Sequence, residues 1–251
     1  MPDLWPKTLL ASLLLAASIS CFYLRPAPIP VPILEHRKSA SEDLVVFLPG
    51  RGGHAEDFEK HGFLQVAQEA GLAADLTAVD AHLAYYMDRS LLTRLKEDVI
   101  APAQKRGKHR IWLVGVSMGG LGALLYAERH PEDVAGVFLL APYLGDETVL
   151  KEIRAAGGLR GWTVPEPLDP KDHQRGVWRW LKRRADGQIP QAFPIYLGYG
   201  AQDRFAPANA MLAASLPPER VFIAEGGHDW PVWRSLWVRF LQGAPMGKSK
   251  S

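Results

Sequence analysis

A short glycine-rich motif constrains this chain more than any other part of its sequence. The apolar run 111–116 leads through the pentapeptide Gly-Val-Ser-Met-Gly, residues 115–119, into a stretch rich in small residues. Glycines at both ends of the pentapeptide allow a strand and a helix to approach closely at a sharp turn. The pattern therefore predicts a strand, a tight turn at Ser117 and a helix, as in a nucleophile elbow, where the turn exposes the serine hydroxyl.

A serine hydroxyl is a weak nucleophile unless a base lies beside it, and a base and an acid follow later in the chain. Asp203 comes just after the apolar segment 193–200, and His228 comes after the short apolar segment 220–224. Because the carboxyl ends of parallel strands meet at one edge of a sheet, we expect both side chains to lie near Ser117. We predict that His228 is the general base and that Asp203 orients its ring.

Other acids and histidines compete for these roles. Asp146 follows the apolar segment 134–141 and is the alternative acid, whereas Asp229 more simply caps a helix that begins at Trp230. Of the seven other histidines, two follow predicted strands on the same edge but lack the late position that the base needs. Together with two aromatic residues near the site they are the predicted substrate contacts, which are His54, His82, Tyr85 and Trp230.

An oxyanion hole needs two backbone N–H groups that point at the reacting oxygen. The apolar segment 44–48 is followed by Pro-Gly-Arg-Gly-Gly-His, residues 49–54, at the position from which the second donor usually comes. We predict that the amides of Arg51 and Met118 are the donors. Glycine-rich loops also bind phosphate, but the Lys-Ser/Thr ending of a nucleotide-binding loop is absent here.

Three stretches of this chain resemble the α/β-hydrolase superfamily, within it the esterase-D-like and carboxylesterase/thioesterase branches. They are Leu-Pro-Gly-Arg-Gly-Gly at 48–53, Gly-Val-Ser-Met-Gly-Gly-Leu-Gly-Ala at 115–123 and Gly-Gly-His-Asp-Trp at 226–230, in a match from about Asp43 to Leu241. Pro49 stands where many relatives carry a histidine. The resemblance implies a serine esterase that cleaves a carboxylic ester, or a thioester, through an acyl-serine intermediate. It requires no metal and no organic cofactor.

Composition and patterning agree with one α/β domain. The chain has 251 residues, of which 47% are hydrophobic, enough to bury a large core. Strand-like and helix-like segments alternate, which predicts a mostly parallel central sheet with helices on both faces. The formal net charge is only +2 and no basic stripe is present, so we expect no nucleic-acid partner. The predicted strands are 44–49, 74–79, 110–116, 134–141, 194–199 and 220–224, and the predicted helices are 57–70, 90–106, 118–130, 146–156, 206–215 and 230–242.

The N-terminal part differs from the rest. Residues 8–24 carry no charge and are mostly Leu and Ala, which predicts that residues 1–25 are a signal peptide or a membrane anchor. Cys21, the only cysteine, ends a stretch that resembles a bacterial lipoprotein processing site. We therefore expect a membrane-anchored or exported protein. The predicted organisation continues with a Pro-rich linker over 26–42, a domain over 43–242 and a flexible tail over 243–251.

The segment between the strands ending near Ala141 and starting near Phe193 is long enough for a small cap within 157–186. Its basic stretch 177–184 contains two tryptophans, which either meet lipid or an acyl substrate, or pack on the sheet, the more usual fate of tryptophan. The expected partner is a small-molecule ester or acyl substrate. Acyl transfer on the same residues, peptide cleavage and a non-catalytic binding role are the alternatives, and the sequence leaves the oligomeric state open.

Overall fold

The computed structural model describes residues 26–37, 39–190, 192–243 and 246. Within these residues seven strands form one sheet in the order β1-β3-β2-β4-β5-β6-β7. Strand β1 runs antiparallel to β3, and all other neighbours are parallel, so the predicted mostly parallel sheet is confirmed. The strands are β1 (Ile33–Arg37), β2 (Asp43–Leu48), β3 (Asp75–Val79), β4 (Arg110–Val116), β5 (Val134–Leu140), β6 (Ile195–Gly200) and β7 (Val221–Ala224).

Helices cover both faces of this sheet. On one face the last helix, Trp230–Gly243, packs against β6, β7 and the helix Phe63–Glu69. On the other face the helix after β4, Met118–Arg129, contacts the helices Leu91–Arg94 and His173–Ala185. A π-helical stretch, Leu95–Ile100, joins the helix Leu91–Arg94 to the helix Ala101–Lys105. The helices are α1 (Asp57–Lys60), α2 (Phe63–Glu69), α3 (Leu83–Met87), α4 (Leu91–Arg94), α5 (Ala101–Lys105), α6 (Met118–Arg129), α7 (Glu147–Ala155), α8 (His173–Ala185), α9 (Ala206–Ala213) and α10 (Trp230–Gly243).

The central strands are continuous apolar runs because both of their faces are covered. Every residue of β2 is buried, and the same holds for β3. On the α10 side, Phe138 stacks on Phe240 with ring centroids 4.1 Å apart, and Trp237 packs edge-on to Phe47 at 5.7 Å. This aromatic layer buries one face of the helix against the sheet, so the parallel strands and their carboxyl ends are held in a fixed frame.

Two boundaries differ from the sequence prediction. The predicted linker over 26–42 contains strand β1, which pairs with β3, and Val31 just before it is only 3% exposed. The prediction of a separate linker is therefore wrong for this stretch, because pairing with a distant strand decides its structure. Met246, within the predicted flexible tail, is also buried. The predicted signal or anchor over 1–25 lies outside the described residues.

The predicted cap is in part a structural helix. Most of its second half is α8, which packs against α6, and Trp178 is fully buried with its indole nitrogen 2.7 Å from the carbonyl oxygen of Leu144. Trp180 is also buried. Both tryptophans are therefore buried in the domain and are not available to meet lipid, although their helix packs on α6.

The described part of the chain contains no helix that combines the length and the apolar character needed to cross a bilayer.

Candidate active site

Ser117 lies in a strained turn between β4 and α6. Its backbone has φ 53° and ψ −115°, a region that residues other than glycine rarely adopt. The glycines beside it explain how the turn closes. A Cβ on Gly115 would lie 2.3 Å from the carbonyl oxygen of Gly119, and one on Gly119 would lie 2.1 Å from that of Leu48. Only glycines permit this approach, so the motif serves backbone packing as well as exposure of the serine.

Hydrogen bonds hold the turn from the neighbouring strand. The Ser117 amide donates to the carbonyl oxygen of Leu140 at 2.9 Å, and the Ser117 carbonyl accepts from the amide of Tyr143 at 2.9 Å. Burial, and then the negative charge of Asp146, raise the pKa of the Tyr143 hydroxyl. The end of β5 and the segment that follows it therefore hold the elbow through main-chain atoms rather than through a carboxylate.

A chain of three side chains converges at this edge of the sheet. His228 Nε2 lies 3.0 Å from Ser117 Oγ, and His228 Nδ1 lies 2.7 Å from Asp203 Oδ2. The Asp203 side chain is fully buried, and its other oxygen accepts from the amide of Phe205 at 2.7 Å. The three predicted residues, far apart in the sequence, thus lie within hydrogen-bond reach of one another.

Two aromatic rings position the imidazole, and the sequence analysis did not single them out. Phe205 and Trp233 contact His228 edge-on, with ring centroids at 5.0 and 4.9 Å. Phe205 follows Asp203 by two residues, and Trp233 lies in the first turn of α10. Aromatic residues at such positions are common in any core, so the sequence carried no signal that could have separated them from ordinary packing.

The alternative acid, Asp146, and the neighbour of the predicted base, Asp229, both cap helices. Asp146 precedes α7, and its carboxylate accepts from the amides of Thr148 at 3.0 Å and Val149 at 3.5 Å. Asp229 accepts from the amide of Val232 at 3.1 Å at the start of α10. Both are typical N-cap bonds, which satisfy amides that have no partner within the helix.

The two predicted oxyanion donors belong to the residue after the serine and to the loop after β2. Met118 is the first residue of α6, where an amide has no acceptor within the helix. Residues 50–53 form a turn closed by a 3.0 Å bond from the Gly53 amide to the Gly50 carbonyl. A Cβ on Gly50 would lie 3.3 Å from Ser117 Cβ, so the peptide that leads into Arg51 is next to the elbow.

The predicted substrate contacts have different surroundings. His54 is half exposed, and its Nδ1 lies 3.2 Å from Asp80 Oδ1. His82 is buried and accepts from the Ala84 amide at 3.4 Å as the cap of α3. Tyr85 is fully buried, donates to the carbonyl oxygen of Pro28 at 2.7 Å and lines a cavity beside α6, so its contact with a substrate stays a prediction.

Trp230 is partly buried and stacks on His61 with ring centroids 4.5 Å apart. It also packs edge-on against Trp233, at 5.2 Å, which in turn contacts the imidazole of His228. Trp230 therefore belongs to the same aromatic layer as the ring beside the predicted base, two contacts away from His228 and three from Ser117.

A cavity of about 280 Å³ lies beside the first turns of α6. Its apolar wall includes Tyr86, Leu92, Leu121 and Leu125, and its rim includes Lys171 and His173. The Tyr86 hydroxyl donates to the carbonyl oxygen of Met118 at 3.2 Å, so one side chain joins the cavity wall to the elbow. Burial raises the pKa of Tyr86, which keeps this hydroxyl protonated as a donor.

One group of described side chains has the spacing of metal ligands. Atoms of His130, Glu132 and Asp133 lie within 4.8 Å of one another, just after the end of α6 and far along that helix from Ser117. Both carboxylate oxygens of Asp133 already accept from Lys96, at 2.7 and 2.8 Å. Burial opposes the charged form of Asp133, but bonds from Lys96 and Tyr126 lower its pKa. The ammonium group occupies the place that a cation would take.

Comparison with known proteins gives one family match. A family model described as serine aminopeptidase, S33, matches residues 90–247. No curated protein matches this sequence.

Solved structures with the same fold include an S-formylglutathione hydrolase from Staphylococcus aureus, which is 14% identical with a TM-score of 0.56 over 87% of this chain and 97% of that one. A structure from a study of carboxylesterases of the thaumarchaeon Nitrososphaera gargenis is 15% identical, with a TM-score of 0.55 over 87% and 96%. Est1E from Butyrivibrio proteoclasticus with bound ferulic acid is 17% identical, with a TM-score of 0.51 over 84% and 95%. At these identities the likeness establishes the fold.

Proposed function

Because this chain belongs to the serine aminopeptidase S33 family of α/β-hydrolases, we propose that it is a serine hydrolase that cleaves a carboxylic ester through an acyl-Ser117 intermediate. The observation that carries the proposal is the hydrogen-bond chain from Ser117 Oγ through His228 to Asp203, with distances of 3.0 and 2.7 Å. Such a chain supplies the base that a serine hydroxyl needs at neutral pH.

The first half of the reaction forms the acyl-enzyme. Ser117 Oγ attacks the ester carbonyl while its proton passes to His228 Nε2. The Nδ1–H group donates to Asp203, whose charge stabilises the imidazolium and holds the required tautomer. The negative charge on the former carbonyl oxygen is stabilised by the amides of Met118 and Arg51. When the tetrahedral intermediate collapses, the C–O bond to the alcohol breaks and His228 returns the proton to the departing alkoxide.

The second half releases the acid. Water replaces the alcohol, gives a proton to His228 Nε2 and attacks the acyl carbon, and collapse of this intermediate breaks the bond to Ser117 Oγ. The proton returns to Ser117 Oγ, so the enzyme is regenerated and the net change is one ester and one water converted to an acid and an alcohol. A thioester would follow the same steps with a thiolate as the leaving group. Every proton transfer uses the same imidazole nitrogen.

The test is hydrolysis of p-nitrophenyl esters from acetyl to palmitoyl by the full chain, with the Ser117→Ala variant as the matched control. We expect turnover that the variant lacks, and we expect a fluorophosphonate probe to modify Ser117 in the unaltered chain only. The chain length with the highest kcat/KM would show whether the acyl site is short or long. A folded protein that neither turns over any ester nor reacts with the probe would instead favour a non-catalytic binding role.

Peptide-bond cleavage is a second candidate, since the matched family is described as a serine aminopeptidase. The same nucleophile and base serve both reactions, but an amine is a poorer leaving group and must be protonated as it departs. Aminoacyl p-nitroanilides compared with p-nitrophenyl esters on the same preparation separate the two. We expect the esters to be cleaved with the higher kcat/KM, and a preference for the anilides would establish the peptidase.

A further inference from the structure

The Pro-rich stretch at the start of the described chain is fastened to the domain. The Tyr85 hydroxyl donates to the carbonyl oxygen of Pro28 at 2.7 Å, and the amide of Val31 donates to Asp98 Oδ2 at 2.8 Å. Val31 itself is buried. The chain therefore does not leave the domain through a free tether, and its point of entry is set by these contacts.

That point of entry lies at the edge of the sheet that carries Ser117. Helix α3 follows the carboxyl end of β3, and its two adjacent tyrosines connect the entry point to the elbow. Tyr85 bonds to Pro28, and Tyr86 bonds to the carbonyl of Met118, the residue after the serine. The pairing of β1 agrees, because its first residue, Ile33, lies opposite the last residue of β3. One short helix thus separates the incoming chain from the candidate active site.

Exposed apolar side chains cluster around the same point. Among the described residues, four large hydrophobic side chains are exposed, and three of them lie within five residues of Pro28 or Tyr85, which are bonded to each other: Ile29 at 73%, Met87 at 66% and Ile33 at 38%. The fourth, Ile223 at 49%, lies on β7, the outermost strand on the side of the sheet farthest from β1. Single exposed hydrophobic residues are ordinary, but a cluster on one surface marks an interaction site.

The sequence immediately before this surface indicates what covers it. The 17 uncharged residues 8–24 end four positions before Pro28. Even a fully extended chain spans at most about 3.6 Å per residue, so the end of this apolar segment lies within roughly 15 Å of a fixed point on the domain. Arg25, between them, suits the headgroup region, where a long basic side chain keeps its charge in water.

We propose that residues 8–24 anchor the protein in a lipid bilayer and that Ile29, Ile33 and Met87 rest on its surface, so that the edge carrying Ser117 faces the membrane. The partner is the bilayer itself. Apolar side chains at the interface are removed from water there, which favours this orientation over one in which the domain turns away. The inference rests on the entry point and the exposed side chains, and it does not depend on the chemistry proposed for Ser117.

The test uses the full chain reconstituted in phosphatidylcholine vesicles. The photo-crosslinking amino acid p-benzoylphenylalanine replaces Ile29, Met87 or, as the control, Ile223, which is also apolar and exposed but lies on β7, the outermost strand farthest from β1. After illumination, mass spectrometry counts lipid adducts at each position. We expect at least tenfold more adduct at 29 and 87 than at 223. A chain that does not float with the vesicles, or equal adduct at all three positions, would overturn the proposal.

Hydrogen–deuterium exchange provides a second measurement that needs no amino-acid substitution. We expect the amides of α3 to exchange more slowly in the vesicle-bound chain than in the domain released from the vesicles by proteolytic removal of the N-terminal segment. The amides of β7 should exchange alike in both preparations. Equal exchange at α3 in both preparations would contradict the orientation. Reaction of each preparation with a fluorophosphonate probe reports separately on Ser117, so a failure of the proposed hydrolase chemistry remains distinguishable from a failure of the orientation.

Discussion

The Tyr86 hydroxyl donates a hydrogen bond to the carbonyl oxygen of Met118, 3.2 Å away, and so ties helix α3 to the first residue after Ser117. Gly122 makes room for it, because a Cβ there would lie 2.5 Å from the Tyr86 oxygen. The bond places a side chain from the helix after β3 against the start of α6, whose first amide is a proposed oxyanion donor. This contact suggests that the two elements position that donor together.

We expect Tyr86→Phe to lower stability by about 1 kcal/mol, the usual cost of losing one hydrogen bond, and to lower kcat by less than about tenfold. Urea unfolding and ester hydrolysis measure the two effects. Gly122→Ala should displace the tyrosine and reduce kcat in the same way, although alanine favours a helix more than glycine does. If both variants kept full activity, the contact would have no part in positioning the helix start.

Replacement of Ser117 separates its chemistry from its backbone strain. Ser117→Ala should lower kcat on the order of 10⁶-fold, the scale seen when a nucleophile acting with its base is removed. Ser117→Gly should be equally inactive but more stable than the alanine variant by about 1–3 kcal/mol, since glycine adopts a φ of 53° without strain. Thermal unfolding of the pair provides the comparison, and equal stabilities would show that the turn stores no strain.

Replacement of Asp203 and replacement of Asp146 should have different effects on activity. Asp203→Asn should lower kcat by about 10⁴-fold, because an amide cannot hold the imidazole in the tautomer that leaves Nε2 free to act as a base. Asp146→Asn should leave kcat within twofold of the original, and it should also retain stability because asparagine caps a helix as well as aspartate does. A larger loss of kcat in the second variant would transfer the role of acid to Asp146.

Two glycine-to-alanine changes test the close approach at the elbow. A Cβ on Gly119 would lie 2.1 Å from the Leu48 carbonyl oxygen, so Gly119→Ala should cost at least about 2 kcal/mol as the backbone shifts. It should also lower kcat by about 100-fold, the effect of a small misplacement of catalytic groups. Gly176, in α8, has nothing within 4 Å of such a Cβ. Gly176→Ala should therefore gain about 0.5–1 kcal/mol and keep its activity.

A buried ion pair far from the site should control acid stability. Lys108 Nζ lies 2.8 Å from Asp75 Oδ1, and both side chains are largely buried. Burial opposes ionisation of Asp75, but the bonds from Lys108 and Ser39 lower its pKa below the ordinary value. A lowered pKa in the folded state adds stability above the unfolded pKa, near 3.9, and this is lost as pH falls through the folded value.

Lys108→Met leaves the Asp75 carboxylate buried without its cation. We expect a loss of about 3–5 kcal/mol at pH 7, and a difference between the two chains that narrows as the pH falls and Asp75 becomes protonated in both. Unfolding by urea across the pH range measures both. The control is Arg106→Gln, which removes a more exposed pair with Glu35 and should cost less than about 1 kcal/mol. Equal losses in the two variants would show that burial of the pair has no special effect.

Much of the site was predictable because its signals are local. Apolar runs bounded by glycine and polar residues identified six of the seven described strands, and the glycines around Ser117 identified the turn, since only glycine allows such close backbone contact. The order of serine, acid and histidine after successive strands then indicated which side chains meet at one edge of a parallel sheet.

Other features depended on contacts between residues far apart in the sequence. Asp146 and Asp203 both follow predicted strands, and only the folded geometry puts the Asp203 carboxylate 2.7 Å from His228 Nδ1, while Asp146 caps α7. Strand β1 and the docking of Pro28 on Tyr85 were missed for the same reason, because pairing and burial by a distant partner decide them. The sequence by itself determined the fold class and the chemical groups of the candidate site. Tertiary structure alone decided which carboxylate meets His228, which rings pack against its imidazole, and where the N-terminal chain enters relative to Ser117.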